Sequence, residues 1–213
     1  MDLRLYLVTS GTGRTTVDAA AAAAAAGAGV VQVRAKDAST SELMGLVGAV
    51  SLAVAAARPT TRVLVDDRAD VAWATRRRGL PVHGVHLGQD DLPVADARSL
   101  LGPDAIIGLT TGTLDLVKGA AALGDLIDYV GAGPYRATPT KDSGRPPLGV
   151  EGYPPLVAAS AVPIIAIGDI TRADIPALAS TGVAGVAVVR EIMAAADPRT
   201  AAEALLAAWP PSG

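Results

Sequence analysis

Short β-branched or aliphatic runs alternate along the whole chain with longer stretches rich in Ala and Leu. The runs fall at residues 3–8, 30–34, 62–66, 84–87, 105–109, 126–130, 163–167 and 185–189. Each is short and largely apolar, as expected of a parallel strand buried on both faces. Helical stretches follow, among them residues 15–26, 40–57, 67–78, 113–123 and 198–208. Thr40-Ser41-Glu42 and Thr113-Leu114-Asp115 bring hydroxyls and acids to helix starts. Asp197 before Pro198 reads as an N-cap followed by proline at the first helical position. Gly79 and Gly182 stand just beyond helix ends.

The runs recur at the interval that one βα unit occupies. Eight such units in 213 residues predict an α/β fold, a single-domain (β/α)8 TIM barrel over residues 1–213, near the lower end of its size range. The rival is an open doubly wound sheet, which carries GxGxxG after its first strand. Here Thr9-Ser10-Gly11-Thr12-Gly13-Arg14 supplies only two of those glycines, so the barrel is preferred. The alanine run at residues 19–26 reads as a helix packed tightly on the barrel, and no linker is visible.

Composition narrows the function classes. Half of the residues are hydrophobic and 18% are charged, which excludes a disordered chain. A fold of this length buries roughly 70% of the surface its unfolded chain exposes, enough for a core of its own. With no Phe, two Trp and four Tyr, there is no aromatic platform for single-stranded nucleic acid. A net charge of −3 argues against duplex DNA and anionic membranes as partners, but leaves room for a local basic cluster. The absence of Cys removes disulfides, thiolate metal sites and thiol nucleophiles. The start MDLRLYLVTSG lacks the pattern of a signal peptide, so a cytoplasmic protein is expected. Mean hydropathy is +0.38, which raises the question of a membrane span. The longest uncharged stretch, residues 152–168, is broken by prolines and falls short of the roughly 20 apolar residues a span needs. No membrane segment is expected, and a homo-oligomer is left open.

In such a barrel the active site lies at the C-terminal ends of the strands. Unusual polar residues collect there. Strand two ends Gln32-Val33-Arg34-Ala35-Lys36, whose polar residues share one face of an extended chain. An amide, a guanidinium and an ammonium together suit a phosphorylated ligand. Strand three ends Asp66-Asp67-Arg68 and strand four Gly88-Gln89-Asp90-Asp91. Each acidic cluster alone fits a helix cap, but two on adjacent strands can share a hard cation such as Mg²⁺. Thr110, Thr111 and Thr113 after strand five, read alone, fit capping best. The connection after strand six, about residues 132–150, is the longest and reads as an active-site loop. Strands seven and eight end Ile167-Gly168-Asp169 and Val189-Arg190-Glu191, where barrels commonly bind phosphate. Two anion regions result. His83 and His86 flank strand four, and His86 is placed to line the barrel. No nucleophile–base triad is readable.

Taken together, these motifs resemble the thiamine-phosphate synthase (thiamine-phosphate pyrophosphorylase) family. The resemblance rests on Leu5-Tyr6-Leu7-Val8-Thr9, on Gln32-x-Arg34-x-Lys36, on Asp66-Asp67-Arg68, on Gly88-Gln89-Asp90-Asp91, on Gly131-x-Gly133-Pro134 and on Thr138-x-Thr140-Lys141. It implies a transferase of thiamine biosynthesis. The reaction joins hydroxymethylpyrimidine diphosphate to hydroxyethylthiazole phosphate, releasing pyrophosphate through a pyrimidine carbocation. It further implies that Asp67 and Asp91 hold Mg²⁺. Gln32, Arg34, Lys36, Asp66, Thr110 and Lys141 would bind the pyrimidine diphosphate, with Arg34, Lys36, Thr110 and Lys141 the catalytic set. Thr138, Pro139, Thr140, Gly168, Asp169, Val189 and Arg190 would bind the thiazole phosphate. The chain departs from the family pattern at Asp66 (usually Asn), Thr110 (usually Ser), Asp169 (usually Gly) and Arg190 (usually Ser). The related thiazole tautomerase is an isomerase whose expected His after strand five is missing here. A non-catalytic thiamine phosphate-binding protein would give the paired aspartates no task.

Overall fold

Strand order in the sheet follows sequence order, and the eighth strand returns to pair with the first. The computed structural model describes residues 1–137 and 144–210. The strands are β1 (Leu5–Val8), β2 (Val30–Val33), β3 (Arg62–Asp66), β4 (Gly84–Leu87), β5 (Ile106–Thr111), β6 (Tyr129–Ala132), β7 (Ile164–Ile167) and β8 (Gly185–Val188). All neighbouring pairs are parallel and the barrel is closed. The helices between them are α1 (Arg14–Ala26), α2 (Thr40–Ala57), α3 (Ala69–Arg77), α4 (Val94–Leu101) and α5 (Leu114–Ala121). They continue as α6 (Tyr153–Ala159), α7 (Ile175–Ala179), α8 (Arg190–Met193) and α9 (Pro198–Ala207).

Side chains alternate across each strand, so every strand serves two cores. Leu5, Leu7, Val31, Val33, Val63 and Val65 face outward into the layer beneath the helices. Tyr6, Val8, Val30, Leu64, Tyr129, Ile165 and Ala187 face inward and fill the barrel. Both faces are dry, which explains the near-continuous apolar runs. The buried alanines of α1 let that helix lie close to α2 and α9. Among the described residues α2 is long and apolar enough to cross a membrane, by length and composition only. The sequence reading missed it by counting uncharged stretches, which Glu42 interrupts. Here Leu43, Leu46, Val47, Val50 and Val54 of α2 are buried in the outer core.

Several boundaries move. The cap of α2 is Ser39, one residue ahead of the expected Thr40. Its side chain and that of Glu42 exchange hydrogen bonds with each other's backbone, a capping box. Asp67, placed in a helix by its sequence pattern, has a left-handed backbone at φ 60, so α3 starts only at Ala69. The sixth strand begins at Tyr129, later than expected, because Gly124–Leu126 form a 3₁₀ turn. Strand five runs on through Thr110 and Thr111, while Thr113 caps α5 by accepting from Leu116 N.

Candidate active site

The inward alternation that fills the barrel with Val30 and Leu64 turns polar one step further along β2 to β5, while β1 keeps Val8 at that level. Gln32, Asp66, His86 and Thr110 are the next inward residues. They open into a cavity of about 830 Å³ at the C-terminal mouth. Gln32, Arg34 and Lys36 line it together, as their spacing in the sequence implied. Gln32 is buried. Arg34 Nε lies 3.2 Å from Asp66 Oδ2, and Lys36 Nζ lies 2.9 Å from Asp67 Oδ2. Contact with the Asp67 carboxylate raises the Lys36 pKa and keeps that side chain charged.

Asp67 and Asp91 interact across the gap between the ends of β3 and β4. The left-handed turn at Asp67 aims the first, and its amide is tied to His86 O at 2.8 Å. Gly88 N donates to Asp91 Oδ2 at 2.6 Å and holds the second. Burial and then the neighbouring Asp67 push the Asp91 carboxyl up from its ordinary value. Two carboxylates that disfavour each other's charge, with hard oxygen donors facing one cavity, fit a divalent cation. Among the described residues no cluster of three or more His, Cys, Asp or Glu completes a protein cage. That suits Mg²⁺, which keeps waters and takes phosphate oxygens.

A buried polar chain rises through the barrel to the same cavity. Tyr6 Oη lies 2.7 Å from Tyr129 Oη, which lies 2.9 Å from His86 Nδ1, and His86 Nε2 lies 2.9 Å from Thr110 Oγ1. Burial pushes both phenols well above their usual range, so they stay neutral and serve as hydrogen-bonding groups. Gly108 makes the space. A Cβ there would sit 2.1 Å from Tyr129 Cζ and 2.6 Å from His86 Nδ1. Gln89 Nε2 donates to Thr110 O at 2.5 Å and fixes the strand end.

The opposite wall is built by the ends of β6, β7 and β8. Gly168, Asp169, Val189 and Arg190 all line the cavity. Gly168 is at φ 118, and a Cβ would lie 2.6 Å from Tyr135 N, where the chain after β6 passes. That chain is held by Tyr135 N→Ile167 O at 2.8 Å and Arg136 N→Gly168 O at 3.1 Å. Its far end returns through Leu148 N→Pro134 O at 2.8 Å. Arg145 Nη1 donates to Thr111 O at 2.6 Å and closes the rim. Asp169 and Arg190 form an ion pair. Thr138, Pro139, Thr140 and Lys141 lie outside the described residues.

A closed barrel with Arg34 and Lys36 on one wall of its mouth, Arg190 on another and a pair of carboxylates at its edge narrows the comparison with known proteins. The sequence model of the thiamine monophosphate synthase family matches residues 5–192. The chain belongs to the thiamine monophosphate synthase family. Among the relatives of this family, the thiamine-phosphate synthase of Corynebacterium efficiens is 58% identical over 206 residues, covering 96% of this chain and 94% of that one. That of Corynebacterium jeikeium is 59% identical over 206 residues, covering 97% and 94%. Among solved structures, the thiamine phosphate pyrophosphorylase from Pyrococcus furiosus superposes with a TM-score of 0.83 at 30% identity, covering 97% of this chain and 95% of that one.

Tyr6, Tyr129 and Arg145 line the cavity without having been singled out for a role by the sequence reading. The signal for the tyrosines was present. With four Tyr and no Phe in the chain, a tyrosine inside a predicted strand marks an unusual core position.

Proposed function

We propose that this barrel joins 4-amino-5-hydroxymethyl-2-methylpyrimidine diphosphate to hydroxyethylthiazole phosphate by a dissociative substitution at its C-terminal mouth. As a member of its family the chain is a transferase of thiamine biosynthesis with thiamine-phosphate synthase activity. The observation that carries the mechanism is one cavity with cationic side chains on two of its walls. Gln32, Arg34, Lys36 and Thr110 stand on one, and Gly168, Asp169, Val189 and Arg190 on the other. Between them Val8, Ile165 and Ala187 form an apolar floor. Lys141, Thr138, Pro139 and Thr140 belong to the same proposal by their motif, in the active-site loop of about residues 132–150.

Each group has a task. Arg34 and Lys36 take the charge that grows on the leaving diphosphate as the C–O bond breaks and both electrons depart with it. Such groups act where charge develops in the transition state. Asp67 and Asp91 would hold Mg²⁺, which supplies further charge neutralisation at the diphosphate oxygens when bound. Thr110, held by His86, positions the pyrimidine side of the substrate. The carbocation is captured by the thiazole nitrogen lone pair, forming the C–N bond. The apolar floor excludes water, the competing nucleophile. Holding the two partners in line is where the remaining rate advantage lies. No strong base is needed, because capture of the carbocation by the nitrogen lone pair removes no proton.

The test is direct. The protein is mixed with both substrates, with Mg²⁺ or with a chelator, and thiamine phosphate and pyrophosphate are quantified. Mg²⁺-dependent formation of both in equal amounts is expected. Folded protein that forms neither would overturn the reading.

A further inference from the structure

A second cavity lies at the other end of the barrel, where the strands begin. Its volume is about 520 Å³, and Arg62, Arg76, His83 and Asp104 line it. Arg62 and Asp66 are the two ends of β3, about 13 Å apart at the usual rise per residue. Between them Leu64 packs with Tyr6, Val30 and Tyr129, so the filled centre of the barrel separates this cavity from the one at the mouth.

Three donors meet there. Arg62 alternates with Leu64 and Asp66 and so belongs to the inward row of β3. It is half-buried, and among the described residues its guanidinium has no hydrogen bond or ion pair. Arg76 comes from α3. Its Nη1 donates to His83 O at 2.9 Å, which fixes the guanidinium and leaves its other N–H groups open. His83 is the third. Val63 N donates to His83 Nδ1 at 3.0 Å. A backbone amide can only donate, so Nδ1 accepts and the ring proton sits on Nε2. Among the described residues that N–H has no partner. Burial lowers the imidazole pKa from its ordinary value, and the Arg62 and Arg76 guanidinia push it the same way. The ring is therefore a neutral donor near pH 7. Asp104, the acid at the opening, pairs with neither arginine among the described residues.

Solvent alone accounts for a single arginine at a barrel end. It does not account for two guanidinia held near one ring against their mutual repulsion, beside an N–H whose tautomer is fixed. An anion between them relieves the repulsion and uses all three donors. A guanidinium fork matches phosphate oxygens bidentately, and a phosphate group has oxygens for both forks and the ring. Leu80, Val82 and Ile106 give the cavity an apolar wall as well, suited to the body of an organic phosphate. We propose that this cavity is a separate anion site, remote from the mouth, in which Arg62, Arg76 and His83 Nε2–H bind a dianionic phosphate group, carried by a small organic phosphate or free in solution.

The chain contains two histidines, His83 in this cavity and His86 in the other, so each site carries its own reporter. The experiment is imidazole nitrogen NMR of isotope-labelled protein, titrated with inorganic phosphate and with phenyl phosphate. It is run at about pH 7.5, where a phosphate monoester is mostly dianionic, with ionic strength held constant by chloride. The His83 Nε2 signal should move and saturate. Arg62→Gln should weaken the binding read at His83 about tenfold or more, as expected for losing a charge-assisted fork, and leave the response of His86 within about twofold. Arg76→Gln should act likewise. Tighter binding of phenyl phosphate than of inorganic phosphate assigns the site to an organic phosphate, and equal binding assigns it to the free ion. Both outcomes uphold the site. A His83 signal that neither phosphate moves, that chloride moves as far, or whose response is undiminished in both variants overturns it. If one variant does not fold, as judged from its His86 signal, the other decides.

Discussion

The phenol of Tyr129 lies 2.9 Å from His86 Nδ1, deep enough in the barrel that the contact joins its packed centre to its reactive mouth. The imidazole is held from below by Tyr129 and from above by Thr110, so its ring plane is fixed by two strands besides its own. Ring stacking adds to this, with centroids 5.5 Å apart. His86 here acts as a rigid spacer that sets where the Thr110 hydroxyl stands.

Tyr129→Phe tests that role. The ring and its packing remain, but the hydroxyls of Tyr6 and Tyr129 no longer satisfy each other. Leaving a buried polar partner unmatched costs about 1–3 kcal/mol, readable as a lower urea midpoint. If His86 loosens, a loss of about 1.4 kcal/mol in transition-state stabilisation is about tenfold in kcat/KM. A variant with lowered stability but full activity would show that the chain supports the fold alone.

Gly108→Ala approaches the same unit by steric means. The added methyl would fall 2.3 Å from Tyr129 Oη and 2.6 Å from His86 Nδ1. Neither ring can retreat, since Tyr129 and Tyr6 fill the barrel. Overpacking of this kind costs about 1–3 kcal/mol, and the displaced imidazole should take Thr110 with it. The expected result is lower melting and lower turnover together, with Gly119→Ala, where a Cβ meets nothing within 4 Å, as the control.

How much of this was readable beforehand depends on whether the signal is local. The Gln32, Arg34 and Lys36 row stands out because a strict two-residue period interrupts an otherwise valine-rich run, and the period fixes the shared face. Asp67 and Asp91 were readable as ends of adjacent strands once the barrel was assigned. Tyr129 was readable as a core position inside the expected run, but not which face of the strand it takes. The residues before it mix Leu, Asp and Gly, which hid the turn at Gly124–Leu126 and set the expected strand too early. The Asp169–Arg190 pair was visible as two departures of opposite charge, Arg190 offsetting Asp169, but not as a contact. Its geometry depends on β7 and β8 lying side by side, which is tertiary information. The left-handed turn at Asp67 was also missed, because a non-Gly residue there carries no reliable sequence mark.

The paired aspartates give a third prediction. Asp67→Asn keeps a residue that tolerates φ 60 and removes one charge from the Asp67–Asp91 pair. The fold should survive with an unchanged melting temperature. Turnover should fall about a hundredfold, equal to some 2.7 kcal/mol of lost charge stabilisation, and should need more Mg²⁺ for half-maximal rate. Asp91→Asn should behave alike. Wild-type rates and wild-type Mg²⁺ dependence in both variants would remove the proposed metal site.

Acid stability supplies the fourth. Asp174 is buried at the start of α7, where burial by itself pushes its carboxyl up. The Arg136 guanidinium, and then the amide and hydroxyl of Thr171, act in the opposite direction and leave its pKa below the ordinary 3.8. The folded state therefore binds this proton less readily than the unfolded chain does. The stability it contributes is complete above the unfolded pKa and disappears as pH falls through the lower, folded one. Asp174→Asn removes that dependence and the ion pair with Arg136, whose side chain is 44% exposed and so is discounted for screening. A loss of about 1–2 kcal/mol at pH 7 is expected from urea unfolding. Wild type should then converge on the variant as the pH drops from about 5 towards 3, because protonation of Asp174 takes from it what the substitution has already taken. Parallel stability curves for the two proteins over that range would show that the Asp174 carboxylate is not held down by its partners.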